Sequence, residues 1–141
     1  MSDPDRFKFI VQEWVLKAEH DLITAVHTLE LEDECPTDTV CFHAQQCIEK
    51  YMKAFLVSQQ RDVPRTHDIS QLMKLMPESL HDVLSLEEQQ RMTVYAITTR
   101  YRADIELISL KEANEAVAQA RRIRKSIRKL LPKDVLKRRK K

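Results

Sequence analysis

Glycine is missing from this chain of 141 residues. Sheets with tight hairpins usually place glycine where the backbone needs a positive φ, so its absence argues against a hairpin-rich fold. It also excludes the phosphate-binding loop, the dinucleotide fingerprint and the GxSxG nucleophile elbow, because each motif requires glycine. A third of the residues are charged, and the abundant Ala, Leu, Glu, Lys, Gln and Arg favour helices. These features predict a single all-α domain with one substantial core.

Long apolar runs and an ordered cysteine pattern are also absent. No stretch approaches the ~20 apolar residues of a membrane-spanning helix. The first nine residues, MSDPDRFKF, carry acidic side chains where a secretory signal has basic ones. Cys35, Cys41 and Cys47 are odd in number and form no CxxC pair, which fits reduced thiols better than a disulfide framework. We therefore expect a soluble, cytoplasmic protein that does not enter a membrane.

What the chain does contain is a series of helical apolar patterns. Apolar residues recur at three- and four-residue steps in four long segments and one short segment. Ser85 and Glu88 form a capping box before the fourth segment, and Thr37 or Asp38 is placed to cap the second. The pattern predicts an up-and-down bundle of four long helices plus one short helix. The predicted helices run from about Asp5 to Leu31, Asp38 to Gln60, Asp68 to Met76, Leu86 to Tyr101 and Lys111 to Leu131.

The net charge of +2 conceals a strong asymmetry along the chain. Residues 121–141 hold 12 of the 24 Lys and Arg and a single acid, Asp134, so this segment carries +11 and residues 1–120 carry −9. Such segregation indicates an anionic partner, either RNA or an acidic protein surface. The alternative is a solvated last helix whose cations favour its C-terminal dipole. We place a helical domain at residues 1–131 and a flexible basic tail at residues 132–141.

A stripe of polar residues flanks the apolar face of the second predicted helix, and a polar turn follows it. Lys and Arg side chains can hold phosphate, while His and Gln can bond a base or ribose edge. The alternative is a network at helix boundaries, in which Asp68 caps the short helix and His67 bonds a backbone carbonyl. In that network Lys50 pairs with the neighbours of Glu49. The candidate residues of the stripe and the turn are His43, Gln46, Lys50, Lys53, Arg65, His67 and Asp68.

A second polar group, Arg100 with Tyr101, stands at the end of the fourth predicted helix. An arginine beside a tyrosine offers a phosphate fork and a base-stacking platform together. The alternative is a basic residue that favours the helix C-terminus, beside a packed tyrosine. His43 and Cys47 stand at i, i+4, but a metal site would need further donors, and Cys47 lies on the apolar face. We therefore expect no metal and no cofactor.

Together, the second helix, the turn and the Arg–Tyr pair resemble the HEPN domain (higher eukaryotes and prokaryotes nucleotide-binding), over roughly residues 10–131. The resemblance is carried by His43, Gln46, Glu49, Lys50, Lys53, Ala54, Arg65, Thr66, His67, Asp68, Thr99, Arg100 and Tyr101. In HEPN domains the corresponding Thr-Arg-Tyr is usually followed by Pro, whereas this chain has Arg102. The resemblance implies a homodimer of helical bundles. It also implies nucleotide contacts from Lys50, Lys53, His67, Asp68, Arg100 and Tyr101, with secondary contacts from His43 and Gln46.

Three functions follow as hypotheses. The resemblance implies binding of a nucleotide or RNA, without readout of DNA sequence, beside a small nucleotidyltransferase of the MNT type in a toxin–antitoxin-like pair. The enzyme alternative is a metal-independent ribonuclease toxin that uses His67 with Arg61 or Arg65. The third hypothesis is an interaction module without a ligand, which binds an acidic partner through residues 121–141.

The ribonuclease alternative has one sequence feature in its favour and one against it. Toxin-type HEPN proteins carry an Arg, four to six further residues and then a His on a late helix. Arg61 and His67 match this spacing, but they straddle the turn after the second helix, and no histidine follows His81. A match of this kind arises about once by chance in such a sequence. The sequence therefore favours binding over cleavage.

Overall fold

The structure, a computed structural model, describes residues 2–97 and 108–137 and is all-α in these ranges. Four long helices and one short helix form a bundle, as the sequence predicts, and no strand occurs in the described part of the chain. Three single-turn 3-10 segments lie between or after the helices, at Glu32–Glu34, Glu78–Leu80 and Lys133–Val135. The five helices are α1 (Asp3–Leu29), α2 (Thr37–Ser58), α3 (Ile69–Lys74), α4 (Leu86–Ile97) and α5 (Leu110–Arg128).

Helices α1 and α2 are antiparallel neighbours. Asp21, late in α1, contacts His43, early in α2, with 2.8 Å between Oδ1 and Nδ1. Trp14, earlier in α1, lies beside Lys53, late in α2, with the ammonium 5.8 Å from the centre of the indole ring. The link between the two helices is short, and a short link favours the antiparallel arrangement, because few residues are enough to join antiparallel neighbours.

Helix α5 runs beside α2 in the same direction. Near the start of both helices, the Thr37 hydroxyl donates to the Ile108 carbonyl at 2.7 Å. Near their ends, Arg128 Nη1 donates to the Tyr51 hydroxyl at 3.2 Å. Because α2 and α5 are parallel, the chain must return along the bundle between them. Helix α4 makes this return in the opposite direction.

Helix α4 is antiparallel to α5. Arg122, well along α5, donates to Glu88, in the first turn of α4, at 2.7 Å. Tyr95, near the end of α4, donates its hydroxyl proton to Glu112, in the first turn of α5, at 2.6 Å. The four long helices therefore alternate in direction, which confirms the predicted up-and-down bundle.

Helix α2 is the centre of the core. Every residue from 51 to 57 is buried, and Ile48, Tyr51, Met52 and Leu56 have no measurable exposure. Burying a large apolar side chain of this kind contributes roughly 1.5–3 kcal/mol. Because α1, α4 and α5 surround α2, its sequence is apolar on most of its circumference rather than on a single stripe.

The absence of glycine has a visible consequence at the end of α2. Gln60, just past the helix, has a φ of 56°, in the left-handed region that favours glycine. Its N–H donates to the Val57 carbonyl at 2.9 Å, and the Arg61 N–H donates to the Leu56 carbonyl at 3.0 Å. These two bonds form a Schellman ending, built here around a glutamine. Glu32, after α1, also has a positive φ, of 51°.

The helix starts confirm one sequence prediction and correct another. The capping box is present, because the Glu88 N–H donates to Ser85 Oγ at 3.0 Å and the Ser85 N–H donates to Glu88 Oε1 at 2.8 Å. The expectation that Thr37 or Asp38 caps α2 is wrong. Pro36 occupies the cap position and offers no side-chain hydrogen bond, while the Thr37 hydroxyl is used in the bond toward α5. The helix ends that are described lie within three residues of the predicted ones.

Two predicted features fall partly or wholly outside the described residues. The fourth helix was expected to reach Tyr101, and it is described to Ile97. The candidates Arg100 and Tyr101 lie in the undescribed range 98–107, so the structure does not place them.

The C-terminal segment beyond α5 is attached to the bundle as far as it is described. Val135, in the last 3-10 turn, is buried. Asp134 pairs with Lys8 of α1 at 2.9 Å, and its carbonyl accepts from Gln12 at 3.3 Å. The 3-10 turn Lys133–Val135 therefore packs on α1, and residues 138–141 of the expected tail lie outside the described range.

The described helices include none that is long and apolar enough to cross a membrane. All three cysteines are free thiols. Cys41 and Cys47 are buried, and Cys35 is half-buried. Burial raises the pKa of Cys41 to about 12 and also raises the pKa of Cys47 well above that of an ordinary thiol. Both buried thiols are therefore protonated and poorly nucleophilic in the folded chain.

Candidate functional site

One carboxylate on α1 holds two of the predicted site residues. Asp21 is 8% exposed, and its Oδ2 lies 2.6 Å from Lys50 Nζ while its Oδ1 lies 2.8 Å from His43 Nδ1. His43 and Lys50 are seven residues apart, so they lie on the same face of α2 and reach the same partner. An incoming phosphate would have to compete with Asp21 for both side chains.

A second carboxylate, on α2 itself, organises the rest of the stripe. Glu49 is 3% exposed and accepts from three side chains. Burial by itself would raise the pKa of Glu49, but hydrogen bonds from Lys53, His67 and Gln45 outweigh burial and hold this pKa below its ordinary value. Glu49 is therefore ionised at neutral pH. Its contacts are Lys53 Nζ at 2.9 Å, Gln45 Nε2 at 3.0 Å and His67 Nδ1 at 2.8 Å.

Lys53 is enclosed by this network. Its side chain is buried, its ammonium pairs with Glu49, and the same ammonium lies 5.8 Å from the ring centre of Trp14. A buried ammonium requires such partners, because an unpaired charge away from water is costly. The sequence predicts a phosphate contact for Lys53, whereas its ammonium is paired with Glu49 and its side chain is 9% exposed.

His67 is the exposed member of the Glu49 network. Its side chain is 63% exposed, and Nδ1 bonds the buried carboxylate. An ionised carboxylate accepts only, so Nδ1 carries the proton and the lone pair of neutral His67 lies on Nε2. Nε2 has no hydrogen-bond partner within residues 2–97 and 108–137. The alternative in which the His67 ring bonds a backbone carbonyl is wrong, because Nδ1 bonds Glu49. The carbonyl of His67 itself accepts from Gln45 Nε2 at 3.3 Å.

Hydrogen bonds at the start of α3 hold the backbone of the turn that carries His67. Asp68 caps α3, as one sequence alternative predicted, by accepting from the Ser70 N–H at 2.9 Å and the Gln71 N–H at 3.2 Å. Thr66 Oγ1 accepts from the Asp68 N–H at 3.1 Å. The Ile69 N–H donates to the hydroxyl of Thr93 on α4 at 3.0 Å. The backbone beside His67 is therefore held by α3 and α4, while its ring is held by α2.

The two arginines considered with His67 have different surroundings. Arg61 donates through Nη1 to the Leu75 carbonyl at 2.8 Å, so its guanidinium binds the residue that ends α3. Arg65 is exposed, and in the described part of the chain its side chain makes no hydrogen bond or ion pair. The structure thus brings Arg65, two residues before His67, to the surface with an uncommitted guanidinium.

Gln46 completes the stripe. It is half-buried, and its Nε2 donates to Gln45 Oε1 at 2.6 Å, which extends the network of Glu49 by one further amide. Gln46 therefore supports Gln45 in the orientation that lets its own amide nitrogen reach Glu49. Among the described residues, no three His, Cys, Asp or Glu side chains gather in a way that could hold a metal ion.

Sequence reasoning missed the two carboxylates as organisers of this site. The family resemblance includes Glu49 without giving it this role, and no sequence motif includes Asp21. The signal for Asp21 was present, because it lies next to Leu22 and three residues after Ala18 on the apolar stripe of α1. An acid at such a position requires a buried partner.

The chain is similar to known proteins over most of its length. A family model described as the HEPN domain matches residues 11–130. The crystal structure of TT1696 from Thermus thermophilus is similar, with a TM-score of 0.70 and 27% identity, over 86% of this chain and 98% of that chain. The crystal structure of ST0689, an archaeal HEPN homologue, is similar in fold, with a TM-score of 0.69 and 23% identity over the same shares, 86% and 98%. No curated protein matches the sequence significantly. The range matched by the family model contains Glu49 and His67.

Proposed function

Because this chain belongs to the HEPN domain family, we propose that it binds a nucleotide or RNA at the turn after α2, through Arg65 and His67. The observation that carries the proposal is the exposed imidazole of His67, which stands on the buried Glu49 with Nε2 turned away from that carboxylate. Arg65 adds an exposed cation with no partner in the described residues. A guanidinium can grip a phosphate with two parallel hydrogen bonds, and an oriented imidazole can bond a ribose or base.

The proposed site is smaller than the set predicted from the sequence. Lys53 and Asp68 are left out, because one is buried against Glu49 and the other caps α3. Lys50 and His43 remain as a supporting edge, since each is partly exposed but shares Asp21. Arg100 and Tyr101 keep the nucleotide contacts that the family resemblance implies, and their residue types suit a phosphate fork and a stacking platform.

The partners proposed for this protein rest on family membership. We propose a homodimer that acts with a small nucleotidyltransferase in a toxin–antitoxin-like pair. The three free thiols support a reducing compartment, the cytoplasm. Light scattering on the purified chain, followed by co-purification with a nucleotidyltransferase encoded beside it, tests both partners. A monomer that retains no nucleotidyltransferase would contradict them.

Binding is tested by fluorescence anisotropy with a labelled oligouridylate of about ten nucleotides, a length that spans a typical single-strand site. Arg65→Ala and His67→Ala should each weaken binding about tenfold or more, because a hydrogen bond to a charged group contributes roughly 1.5–3 kcal/mol. Lys74→Ala, an exposed cation on α3, is the matched control and should change affinity less than twofold. Equal affinity of the Arg65, His67 and control variants would overturn the proposal.

A ribonuclease is the second candidate, because one observation favours it. A buried carboxylate that orients an exposed histidine through Nδ1 is an arrangement that prepares Nε2 to accept a proton from a 2′-hydroxyl. Cleavage of the same RNA is measured for the unmodified chain and for His67→Gln, which keeps a polar side chain. Loss of cleavage in the variant supports the enzyme. Equal decay of RNA with both proteins, or no decay with either, removes it.

A further inference from the structure

A groove runs between α1 and α5, on a surface that the proposed nucleotide site does not use. Two adjoining cavities, of about 380 Å³ and about 300 Å³, form this α1–α5 groove, and both are lined by Glu19 and Ile23. Val135 and Leu136 of the C-terminal segment also line the larger cavity. The smaller one is lined by Leu22 and Val26.

The floor of the α1–α5 groove is a fixed ionic cluster. Glu19 accepts two hydrogen bonds from Arg124, through Nε and Nη2, each at 2.8 Å. Its Oε2 also accepts from the Tyr51 hydroxyl at 2.7 Å, and Arg128 Nη1 lies 3.7 Å from Oε1. Burial would raise the pKa of Glu19, but the bonds from Arg124 and Tyr51 lower it below its ordinary value. One carboxylate thus faces two guanidinium groups, which leaves a net positive charge on the floor.

The rim of the groove is also cationic. Arg121 lines the smaller cavity, and Lys125 follows it one turn later on the exposed face of α5. Neither side chain has an ion-pair partner among residues 2–97 and 108–137. Lys137 lines the larger cavity. Among the described residues, Glu19 is the one acid in the lining of either cavity, and it is already paired.

The apolar lining of the groove helps to distinguish between two anionic partners, RNA and an acidic protein surface. Ile23 is 51% exposed at the junction of the cavities, a large aliphatic side chain left open to solvent. The rings that line the two cavities in the described part of the chain are the imidazoles of His20 and His27, and no Phe, Tyr or Trp offers a larger platform on which a base could stack. Aliphatic walls with a cationic rim match a protein segment with aliphatic anchors and acidic flanks. They therefore favour an acidic protein partner over RNA.

We propose that the α1–α5 groove binds an acidic amphipathic helix of a partner protein. The cavities follow one another along α1, from Gln12 to His27, a length of roughly 23 Å at 1.5 Å per residue. Each α1 residue that lines the smaller cavity stands about seven positions after an α1 residue that lines the larger one, which is ~10 Å along the helix. This spacing matches two anchors at i and i+7 on a bound helix, whose exposed flanks meet Arg121, Lys125 and Lys137.

The groove and the nucleotide site are independent. Glu49, which holds His67, and Tyr51, which contacts the groove floor, are two residues apart on α2. Two residues correspond to ~200° around a helix, so the two surfaces lie on opposite sides of α2. A variant in the groove should leave binding at His67 unchanged, and loss of the nucleotide site should leave the groove intact.

The test is a selection of random peptides of about 16 residues, the length of helix that spans the groove, on the full chain. We expect enrichment of peptides with aliphatic residues seven apart and a net negative charge. The consensus peptide should bind Ile23→Glu and Arg121→Glu at least tenfold more weakly than the unmodified chain. The matched controls are Leu86→Glu on α4 and Lys111→Glu at the start of α5, both exposed, which should change affinity less than twofold.

Three outcomes would overturn the proposal. The first is no enrichment, or a consensus that binds Ile23→Glu as well as it binds the unmodified chain. The second is a change of oligomeric state in Ile23→Glu by sedimentation, which would assign the groove to a second copy of this chain. The third is loss of oligouridylate binding in Arg121→Glu, with His67 intact, which would assign the groove to RNA.

Discussion

His67 and Glu49 are joined by a 2.8 Å contact between Nδ1 and Oε1, which ties an exposed ring to a carboxylate inside the bundle. The same carboxylate holds Lys53 on the buried side of α2. A single residue therefore stabilises the packing of the core helix and sets the tautomer of the proposed ligand-binding histidine. The packing of α2 and the proposed ligand binding at His67 therefore depend on the same charge.

Removal of Glu49 should be costly because it leaves the Lys53 ammonium buried without a counter-charge. We expect Glu49→Leu to lower the free energy of unfolding by about 3–5 kcal/mol, measured by urea denaturation at neutral pH. Lys53→Met should also destabilise the chain. The double variant should recover most of the loss, because two apolar side chains can replace a buried pair. A double variant no more stable than Glu49→Leu alone would contradict the account of this pair.

Acid should destabilise the fold through Glu19 and Glu49. Both have folded-state pKa values below the ordinary 4.5, so their contribution is complete above that pH and is lost as the pH falls through the folded values. Urea midpoints should therefore decrease below about pH 4.5. Glu19→Gln should be less stable at neutral pH and show a shallower decrease. Glu87→Gln, at a surface pair with Arg91, is the control and should follow the unmodified chain.

Gln60 holds a backbone conformation that costs a non-glycine residue roughly 1–2 kcal/mol. Gln60→Gly should stabilise the chain by up to ~1 kcal/mol, since part of the relief is offset by the greater freedom of glycine in the unfolded state. Gln59→Gly is the matched control, because Gln59 has a φ of −93° and gains nothing from glycine. The midpoint of thermal unfolding, measured for Gln60→Gly and Gln59→Gly, distinguishes the two variants. Equal shifts in both variants would show that the left-handed geometry carries no strain.

The three thiols should differ in reactivity. Cys41 and Cys47 are buried, and burial raises the pKa of both, so neither should react with iodoacetamide in the folded chain. Cys35 is half-buried and should be modified first. All three cysteines lie in one tryptic peptide, residues 18–50, so fragmentation of this peptide by tandem mass spectrometry, before and after addition of urea, measures the order. Rapid modification of Cys47 without denaturant would contradict its place in the core.

The fold followed from the sequence because its signals are local and repeated. The apolar periodicity, the capping box at Ser85 and the lack of glycine all indicated the same helical bundle. The cap of α2 was predicted wrongly, because the Thr37 hydroxyl bonds the distant Ile108 carbonyl, and no local rule anticipates that partner.

The site was less predictable, because its decisive contacts join residues far apart in the chain. The helical wheel placed His43, Lys50 and Lys53 on one stripe, but it could not show that Asp21 takes two of them. It also could not show that Glu49 pairs with Lys53 inside the bundle and at the same time bonds His67, whose side chain is exposed. Residue type and spacing identify the candidate residues. The tertiary packing around α2 then determines which of these candidates are buried and which are accessible.

The most direct measurement is NMR of the histidine side-chain nitrogens during titration with the oligouridylate. We predict that neutral His67 is protonated at Nδ1, and that its Nε2 resonance shifts on binding while that of His81, whose Nε2 lies 3.0 Å from the Met76 carbonyl, does not. Such a result would place the ligand at the exposed edge of the Glu49–His67 pair. A His67 protonated at Nε2, or a His67 spectrum unchanged at saturating RNA, would contradict the account.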